Sequence, residues 1–391
     1  MALRVLHCPA MVGGNPYGLA SAERALGLDS HAVTVGQNWL AYPMDEVLLG
    51  PTANKLQAEL ARWRLLWRAL RRYDLIHYNF GQTILPMRTV TDAFSGSAVR
   101  PLYWFYGQLT TQRELPLLRR AGKGLVVTYQ GDDARQGDYC RAHFDISIAR
   151  EVDSSYYTTA SDAAKRRQIS QFDRYADRIY YLNPDLGWVL PERARFMPYA
   201  NVDLREWQIA ASPVPERPLI LHAPTHQGAK GTRYVLEAVQ RLQAEKMPFE
   251  FLLIENMSIQ EARSVYARAD LLVDQLLAGW YGGLAVELMA LGKPAICYLR
   301  EGDLKFVPPA MRQALPLIHA TPATIYSVLK EWLTTRRQEI PEMGRRSRAY
   351  VEQWHDPLKI AAALKADYEA IMAAKRPRAN NSGRADREEH I

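Results

Sequence analysis

Short apolar runs alternate with amphipathic stretches along almost the whole chain. Segments 19–26, 55–72 and roughly 161–175 repeat their apolar residues with the spacing of an amphipathic helix. Strand-like runs that alternate with such helices are typical of α/β folds built on a parallel sheet. The strands predicted in the first half are RVLHC (4–8), HAVTVG (31–36), DLIHYNF (74–80), GLVVTYQ (124–130) and DRIYYLN (177–183).

The alternation starts again after a proline-rich loop at 213–218 and continues to residue 373. Two successive sets of β-α units predict an α/β fold with two Rossmann-like, doubly wound domains that face each other across a cleft. In the second half the predicted strands are 218–224, 249–256, 270–276, 294–299 and 315–320, and the predicted helices are 232–245, 258–268, 284–291, 323–336, 341–353 and 358–373.

Length and composition fit this picture. The 391 residues suit two domains of ordinary size, and 48% hydrophobic with 23% charged residues is the composition of a globular protein. No run of about 18 apolar residues, the length that a transmembrane helix needs, is present. Cys8, Cys140 and Cys297 are far apart and lack disulfide or zinc spacing. We therefore expect a protein of the reducing cytoplasm.

The chain is basic, with a net charge of +7 and a pI of about 9.2. Segment 375–391 holds five basic and three acidic residues, so it contributes only +2 and most of the excess lies in the folded part. A mild basic excess fits an anionic ligand, a membrane surface or nucleic acid. No zinc-finger, RNP-like or helix-turn-helix signature supports nucleic acid, which is not expected as a partner.

Ligands of doubly wound sheets bind in the loops at the carboxyl ends of the strands. The first such loop, PAMVGGNPYG, holds Gly13 and Gly14, which allow a ligand to approach the backbone closely. Neither the dinucleotide nor the P-loop spacing is present, and a plain turn is the alternative. In a second loop, THQGAKGT, Lys230 precedes a helix N-terminus. A cation at that position is unfavourable by a few tenths of a kcal/mol, because it faces the positive end of the helix dipole. A shared anion such as a diphosphate would explain this placement, and a solvated lysine is the alternative.

The third loop, AGWYGG, leads into an apolar helix that contains a single carboxylate, Glu287. The first N–H groups of that helix, on Gly283 and Leu284, have no partner within the helix and can bind a phosphate oxygen. A buried carboxylate needs a partner, and Glu287 could accept hydrogen bonds from the two vicinal hydroxyls of a ribose. The alternative is a structural partner from the backbone or from an arginine.

At these residues the chain resembles the retaining GT-B glycosyltransferases of family 4 (group 1). The resemblance covers most of the chain and is strongest over 219–299, in HAPTHQGAKGT, YARADLLVDQL and GWYGGLAVELMALGKPAI. FMPYANVDL (196–204) is similar to the family's interdomain stretch Pro-Asn-Gly-Val-Asp. The resemblance implies transfer of a hexose, with retention, from a nucleotide-sugar to a hydroxyl of a glycan, a lipid-linked or a small-molecule acceptor, as in polysaccharide biosynthesis. It implies no metal and no other cofactor.

The resemblance also implies a domain plan. Residues 1–200 would form the acceptor-side domain and 201–356 the nucleotide-sugar-binding domain. The last helix, 357–374, begins favourably at Asp356-Pro357 and would cross back to complete the first domain. The basic tail, 375–391, has little to bury and is expected to be disordered.

Carried over to this sequence, the family's nucleotide site includes a lysine and a glutamate. Lys230 would neutralise the diphosphate and help it leave. Glu287 matches the second glutamate of the family's E-x7-E motif, which binds the ribose. The residues whose backbone would contact the phosphates or the sugar are Gly13, Gly14, Gly282, Gly283 and Leu284.

The chain departs from the family pattern on the sugar side. Gly279 stands where the first glutamate of the motif would contact the donor sugar. Gln227 occupies a position where an arginine often precedes the lysine, and Gln130 stands where many relatives carry a histidine. Asp274, at a strand end, could replace the missing carboxylate, and a cap on the AGWYGG loop is the alternative.

The loop QGDDARQGD (130–138) follows a strand and is placed like an active-site loop. Its residues Asp132, Asp133 and Arg135 could orient an acceptor hydroxyl or the donor sugar. A polar turn with internal Asp–Arg pairing is the alternative.

The predicted helix 55–72 carries an apolar stripe of Leu56, Leu60, Trp63, Trp67 and Leu70, with arginines over much of the remainder. A basic helix that carries tryptophan could rest on an anionic bilayer, which would place the protein peripherally at the inner face of the membrane. An ordinary helix that packs this stripe on the sheet is the preferred interpretation.

Two other classes of function remain open. The altered positions on the sugar side leave room for an epimerase or a hydrolase that uses nucleotide-sugars on the same fold. They also leave room for a non-catalytic protein that binds nucleotide-sugars. The base, the sugar, the acceptor and the oligomeric state do not follow from the sequence.

Overall fold

The computed structural model describes residues 2–85, 100–209, 213–214 and 216–375, with the backbone alone at 100–104. These residues form two parallel sheets, one of seven strands and one of five. The predicted α/β fold with two doubly wound sheets is confirmed. The tail 376–391, predicted to be disordered, lies outside the described residues.

The first sheet has the strand order β3-β2-β1-β4-β5-β6-β7, with every neighbouring pair parallel. Its central strands β1, β4 and β5 are fully buried or nearly so, as expected for a sheet covered on both faces. The strands are β1 (Arg4–Cys8), β2 (Asp29–Gly36), β3 (Glu46–Leu49), β4 (Leu75–Asn79), β5 (Gly124–Tyr129), β6 (Arg178–Tyr181) and β7 (Arg195–Phe196).

Helices cover both faces of this sheet. The helices of the first part of the chain are α1 (Asn15–Ala25), α2 (Lys55–Arg72), α3 (Arg100–Thr110), α4 (Glu114–Arg120), α5 (Gly137–His143), α6 (Ile148–Glu151) and α7 (Thr159–Tyr175). On one face α2, α4 and α7 bury Leu65, Leu118 and Phe172. On the other face lies α1, which buries Leu19.

The second sheet has the strand order β12-β11-β10-β8-β9 and is also parallel throughout. Its strands are β8 (Leu219–His222), β9 (Glu250–Leu253), β10 (Leu271–Val273), β11 (Ala295–Cys297) and β12 (Ile318–His319). The helices that follow are α8 (Gln227–Lys230), α9 (Thr232–Ala244), α10 (Ile259–Arg268), α11 (Gly283–Ala290), α12 (Pro309–Gln313), α13 (Ile325–Leu333), α14 (Ile340–Trp354) and α15 (Pro357–Lys375).

The last helix, α15, lies against α1 on the first sheet. Tyr368 Oη donates to Glu23 Oε1 (3.1 Å), and Lys365 Nζ donates to the carbonyl of Leu26 (2.8 Å). His77 of β4 is fully buried between the hydroxyls of Tyr368 and Thr128, and burial lowers its pKa well below the usual value. It is therefore a satisfied core histidine. The predicted domain boundary at residue 200 stays a prediction.

Most predicted elements are present, and the differences have local causes. Helix α1 begins at Asn15, four residues earlier than predicted, because Pro16 is well tolerated in a first helical turn. Strand β3 was not predicted because its four residues lie at the sheet edge and are only partly buried. Helices α3 and α4 also lie in a stretch for which no element was predicted.

The interpretation that helix 55–72 packs its tryptophan stripe on the sheet is wrong for four of the five predicted residues, and only Leu70 of that stripe packs, partly buried, against the core. The predicted bounds agree with α2, but the helix packs on the sheet through Leu65, Leu66 and Ala69. Helix α2 carries two apolar stripes, and the stripe with the smaller side chains packs on the sheet. Leu56, Leu60, Trp63 and Trp67 are exposed by 69%, 48%, 44% and 58%.

Candidate active site between the two sheets

A cavity of about 270 Å³, which we call the polar cavity after the charged and amide side chains in its lining, lies where the carboxyl ends of the two sheets face each other. Loops that follow strands of both sheets line it, as expected for doubly wound domains. Its polar lining includes one carboxylate, Asp132, and two cations, Arg135 and Lys230. The lining residues that the sequence predicted are Gly13, Gln130, Asp132, Arg135, Lys230, Gly282 and Gly283.

Lys230 ends α8, a single helical turn. His226 caps the start of this turn by accepting from the Ala229 N–H (3.1 Å), and Gly231, at φ 75°, ends it so that α9 can begin. Nζ of Lys230 donates to Gln275 Oε1 (2.7 Å) and lies 3.3 Å from Asp274 Oδ1. The ammonium of Lys230 therefore reaches the cavity with its charge partly neutralised. These contacts offset the electrostatic cost of placing a cation beside the N-terminus of α9.

Asp274 supports both Lys230 and the AGWYGG loop. It is buried at the end of β10, and its second oxygen accepts from the Gly282 N–H (2.6 Å). The cap on the loop, one of the two expected alternatives, is thus present. The carboxylate does not line the cavity, and its side chain is fully buried.

This cap changes the expectation for the start of α11. The Gly282 N–H is taken by Asp274, so it cannot also serve a phosphate. Gly283 and Leu284 occupy the first turn of α11, where N–H groups have no acceptor within the helix. Among the described residues none accepts from these two groups. The candidate phosphate donors at this helix are therefore Gly283 and Leu284.

Glu287 has structural partners for one of its two oxygens. Tyr42 Oη donates to Oε1 (2.8 Å), and Asn201 Nδ2 donates to the same atom (3.1 Å). Oε2 has no hydrogen-bond partner among the described residues. Complete burial raises the pKa of Glu287 to about 7, although both partners oppose the shift. The carboxylate is thus only half satisfied.

A larger cavity, of about 630 Å³, is lined in part by Tyr42. Gly13 lines the first cavity and Gly14 the second, so the two are neighbours. Tyr42 and Asn201, the partners of Glu287, both line the larger one. Glu287 itself is fully buried and lines neither cavity, so its two partners separate it from the larger one.

The loop after β5 places Asp132 and Asp133 in different environments. Asp133 is buried and accepts from the N–H groups of Gln130 (3.0 Å) and Gly131 (2.7 Å), so it shapes the turn, and burial raises its pKa to about 7. Asp132 faces the cavity. Burial opposes its ionisation, but the charge of Arg135 and the hydroxyls of two tyrosines keep its pKa below the usual value. The tyrosines are Tyr156 and Tyr157.

Arg135 holds this wall in place. It is buried and forms ion pairs with Asp185 (2.6 Å) and with Asp132 (2.7 Å). The predicted Asp–Arg pairing within the loop is thus present, in a loop that also lines the cavity. Gln130 lies beside it, and its Nε2 is buried without a partner among the described residues.

The predicted site residues that do not line the polar cavity are Gly14, Asp133, Gln227, Asp274, Leu284 and Glu287, and Gly279 does not line it either. Gln227 is exposed and donates to Glu255 Oε1 (2.6 Å). Gly279 has a φ of 84°, and a Cβ there would lie 2.7 Å from Arg300 Nη1 and 2.9 Å from Asp303 Oδ2. The buried Arg300–Asp303 ion pair (2.7 Å) fills the space that a side chain at this position would need.

Gly279→Ala is expected to lower the free energy of unfolding by about 2–4 kcal/mol, since backbone strain and displacement of a buried ion pair both contribute. Urea unfolding measures the loss. Gly122→Ala is the matched control, because Gly122 has a similar φ of 73° but open space around its Cβ position. Equal losses in the two variants would contradict the role given to Arg300 and Asp303.

Several lining residues were not predicted. Asn183 follows β6, Gln275 follows Asp274, and Tyr156 comes from a segment without a strand. For Asn183 and Gln275 the sequence did carry an indication, because both are polar residues at the carboxyl ends of predicted strands (177–183 and 270–276). The other cavity residues outside the prediction are Val12, Phe80, Gly131, Ile148, Tyr199, Thr225, His226, Ala229 and Ala278.

No protein-family model and no curated protein matches the chain. Solved structures do match. Sucrose-phosphate synthase from Thermosynechococcus elongatus is 15% identical, with a TM-score of 0.55 over 96% of this chain and 100% of that one. HepE from Anabaena, solved in complex with UDP-glucose, is 12% identical, with a TM-score of 0.56 over 95% and 100%.

The chain has the GT-B fold. A glycosyltransferase from Rickettsia africae is a third match, at 10% identity and a TM-score of 0.53 over 95% of this chain and 99% of that one. The polar cavity lies in the cleft between the two sheets of this fold. At these identities the likeness concerns the fold, so the chemistry must be argued from the residues.

Proposed function

We propose that this protein is a glycosyltransferase that moves a sugar from a nucleotide-sugar donor to a hydroxyl acceptor. One observation carries the proposal: the ammonium of Lys230 and the first turn of α11 meet at one polar cavity between the sheets. A cation beside free helix N–H groups is suited to a diphosphate. The GT-B fold supports the proposal, as does the UDP-glucose bound by HepE.

In the proposed reaction, the bond between the anomeric carbon and the diphosphate oxygen breaks and leaves its electron pair on that oxygen. Lys230 and the N–H groups of Gly283 and Leu284 stabilise the negative charge that develops there. The acceptor hydroxyl attacks on the same face, and its proton passes to the departing phosphate. The configuration at the anomeric carbon is then retained. We propose that these groups act without a metal.

The sugar would lie against the wall formed by the first sheet. The Asp132 carboxylate can accept from sugar hydroxyls, and the unpartnered Gln130 Nε2 can donate to one. Asn183 holds Gln130 in place, because its amide donates to the Gln130 carbonyl. Asp132 is the carboxylate available to a sugar in this cavity, whereas position 279 offers no side chain. The acceptor, a glycan or a lipid-linked or small molecule, would enter from the cleft.

The nucleoside end of the nucleotide-sugar donor would reach Glu287. A ribose hydroxyl can donate to the unpartnered Oε2, and a second can replace Tyr42 at Oε1. Such a ligand would satisfy a carboxylate that the free protein leaves half satisfied. We place the activity in the cytoplasm, where the three unpaired cysteines would remain reduced.

A donor screen tests the proposal. We expect one nucleoside diphosphate to raise the melting temperature by several degrees at saturation, and its sugar to be transferred to an added acceptor. Nuclear magnetic resonance of the product then reports the anomeric configuration. Release of free sugar or of an epimer without acceptor would favour a hydrolase or an epimerase. Tight binding without turnover across the donor panel would favour a non-catalytic protein.

A further inference from the structure

Helix α2 presents large apolar side chains to solvent along most of its length. Leu56, Leu60, Trp63 and Trp67 recur at intervals of three and four residues, which places them on one stripe of the helix. Each is between 44% and 69% exposed. Single exposed apolar residues are ordinary, but a continuous stripe with two tryptophans is a mark of an interaction surface.

The neighbouring helix α3 extends this apolar surface. Trp63 Nε1 donates to Tyr106 Oη (2.7 Å), and Tyr106 Oη donates to Glu59, so the two helices are tied together at the stripe. Phe105 and Leu109 of α3 are 56% and 57% exposed. We call these six apolar residues of α2 and α3 the apolar stripe.

Basic residues flank the apolar stripe. Helix α2 contains six basic residues and one acidic residue, Glu59. Arg64 and Arg71 are exposed, and each lies four residues after a member of the stripe (Leu60 and Trp67), which places it at the edge of the stripe. The Arg71 guanidinium lies 5.1 Å from the Trp67 ring. A helix with tryptophan and leucine on one side and arginines beside them is suited to the interface of an anionic bilayer.

We propose that the apolar stripe and its flanking arginines form a docking surface for an anionic lipid bilayer. The tryptophans and leucines would enter the headgroup region while Arg64 and Arg71 bind lipid phosphates. Charge complementarity favours a bilayer over a second copy of the chain, because two copies would bring like-charged arginines together. The surface is separate from the proposed catalytic groups.

Helix α2 begins near the opening of the polar cavity. A crossover helix runs antiparallel to its strands, so the first turns of α2 lie at the edge of the sheet where the polar cavity opens. Arg62 Nη1 donates to the carbonyl of Ile84, in the segment after β4, and Phe80 of that segment lines the cavity. Docking would bring the cleft near the lipid surface. None of the helices within the described residues is long and apolar enough to cross it.

Vesicle flotation tests the proposal with the full chain. We expect binding to phosphatidylcholine vesicles that contain about one-third phosphatidylglycerol, much weaker binding to phosphatidylcholine alone, and loss of binding as salt is raised. Trp63→Gln with Trp67→Gln should weaken binding more than about tenfold. Arg64→Gln with Arg71→Gln should weaken it about thirtyfold at low salt. The variants should stay folded because these side chains are largely exposed, with a small fall in melting temperature where the Trp63–Tyr106 hydrogen bond is lost.

Leu358→Gln is the matched control, since Leu358 is 44% exposed, like Trp63, but lies at the start of α15. It should leave vesicle binding unchanged, and Trp63→Phe with Trp67→Phe should retain most of the affinity. The proposal is overturned if the wild type stays unbound with anionic vesicles at low salt, or if the Gln variants bind as the wild type does. Self-association that the tryptophan variants abolish would instead identify a second copy as the occupant. Sugar transfer plays no part in the assay, so failure here would leave the proposed function standing.

Discussion

Lys230→Ala is expected to lower the rate of sugar transfer about 10²- to 10³-fold, because it removes a preorganised cation from the position where charge develops on the leaving diphosphate. The effect should appear in kcat more than in KM, since the interaction strengthens as the bond breaks. Single-turnover measurements with saturating donor separate this chemical step from product release. A variant that transfers at a near-wild-type rate with the true donor would contradict the proposed mechanism.

The substitution also removes a partner of the buried Asp274, so the fold must be checked. In the variant Asp274 still accepts a hydrogen bond from the Gly282 N–H, so we expect only a moderate fall in melting temperature. Lys123→Ala is the control. Lys123 also anchors its ammonium on the protein, at the carbonyl of Tyr73 (2.6 Å), but it precedes β5 and so lies at the opposite edge of the sheet. It should change stability without changing the rate of transfer.

The fold was predictable because its determinants are local. Apolar runs of strand length separated by amphipathic helices require a covered parallel sheet, whichever residues make the detailed contacts. Which face of a helix packs on the sheet depends less on local sequence. The bounds of α2 follow from its periodicity, but two apolar stripes compete for the sheet, and the sequence does not tell which one packs. The larger side chains were the natural choice, and they face solvent.

The site was predictable where a residue follows its strand directly, as Gln130 and Asp274 do, and where a glycine-containing loop leads into a helix, as at Lys230. It was not predictable where partners come from distant segments. Tyr42 and Asn201, which bind Glu287, are 245 and 86 residues away from it in the chain. Likewise the sequence shows that position 279 carries glycine, but only the structure shows the ion pair that fills the space beside it.

Glu287 gives the second large expected effect, a pH-dependent affinity for nucleotide. Burial raises the pKa of Glu287 to about 7, so the free protein is increasingly protonated below that pH. Ribose hydroxyls that donate to the carboxylate would stabilise its ionised form and lower its pKa in the complex. Binding would then release a proton below pH 7. Affinity should therefore be highest above pH 7 and fall up to about tenfold per pH unit below it.

Glu287→Gln should remove most of this dependence and weaken binding about tenfold or more at pH 8, because a charge-assisted hydrogen bond is lost. The variant should stay folded. The raised pKa means that the contribution of Glu287 to stability is fully present below its ordinary value of 4.5 and is lost as the pH rises through about 7, a loss that an amide avoids.

Isothermal titration in two buffers of different ionisation enthalpy measures both the affinity and the proton release. Glu114→Gln is a close control, because Glu114 is also fully buried with a pKa raised to about 7, but its partner Leu85 lines neither cavity, whereas the partners of Glu287 line the larger one. This control should keep the pH dependence of the wild type. An unchanged pH profile in Glu287→Gln would mean that the ribose does not bind at this carboxylate, and that Tyr42 and Asn201 are its permanent partners.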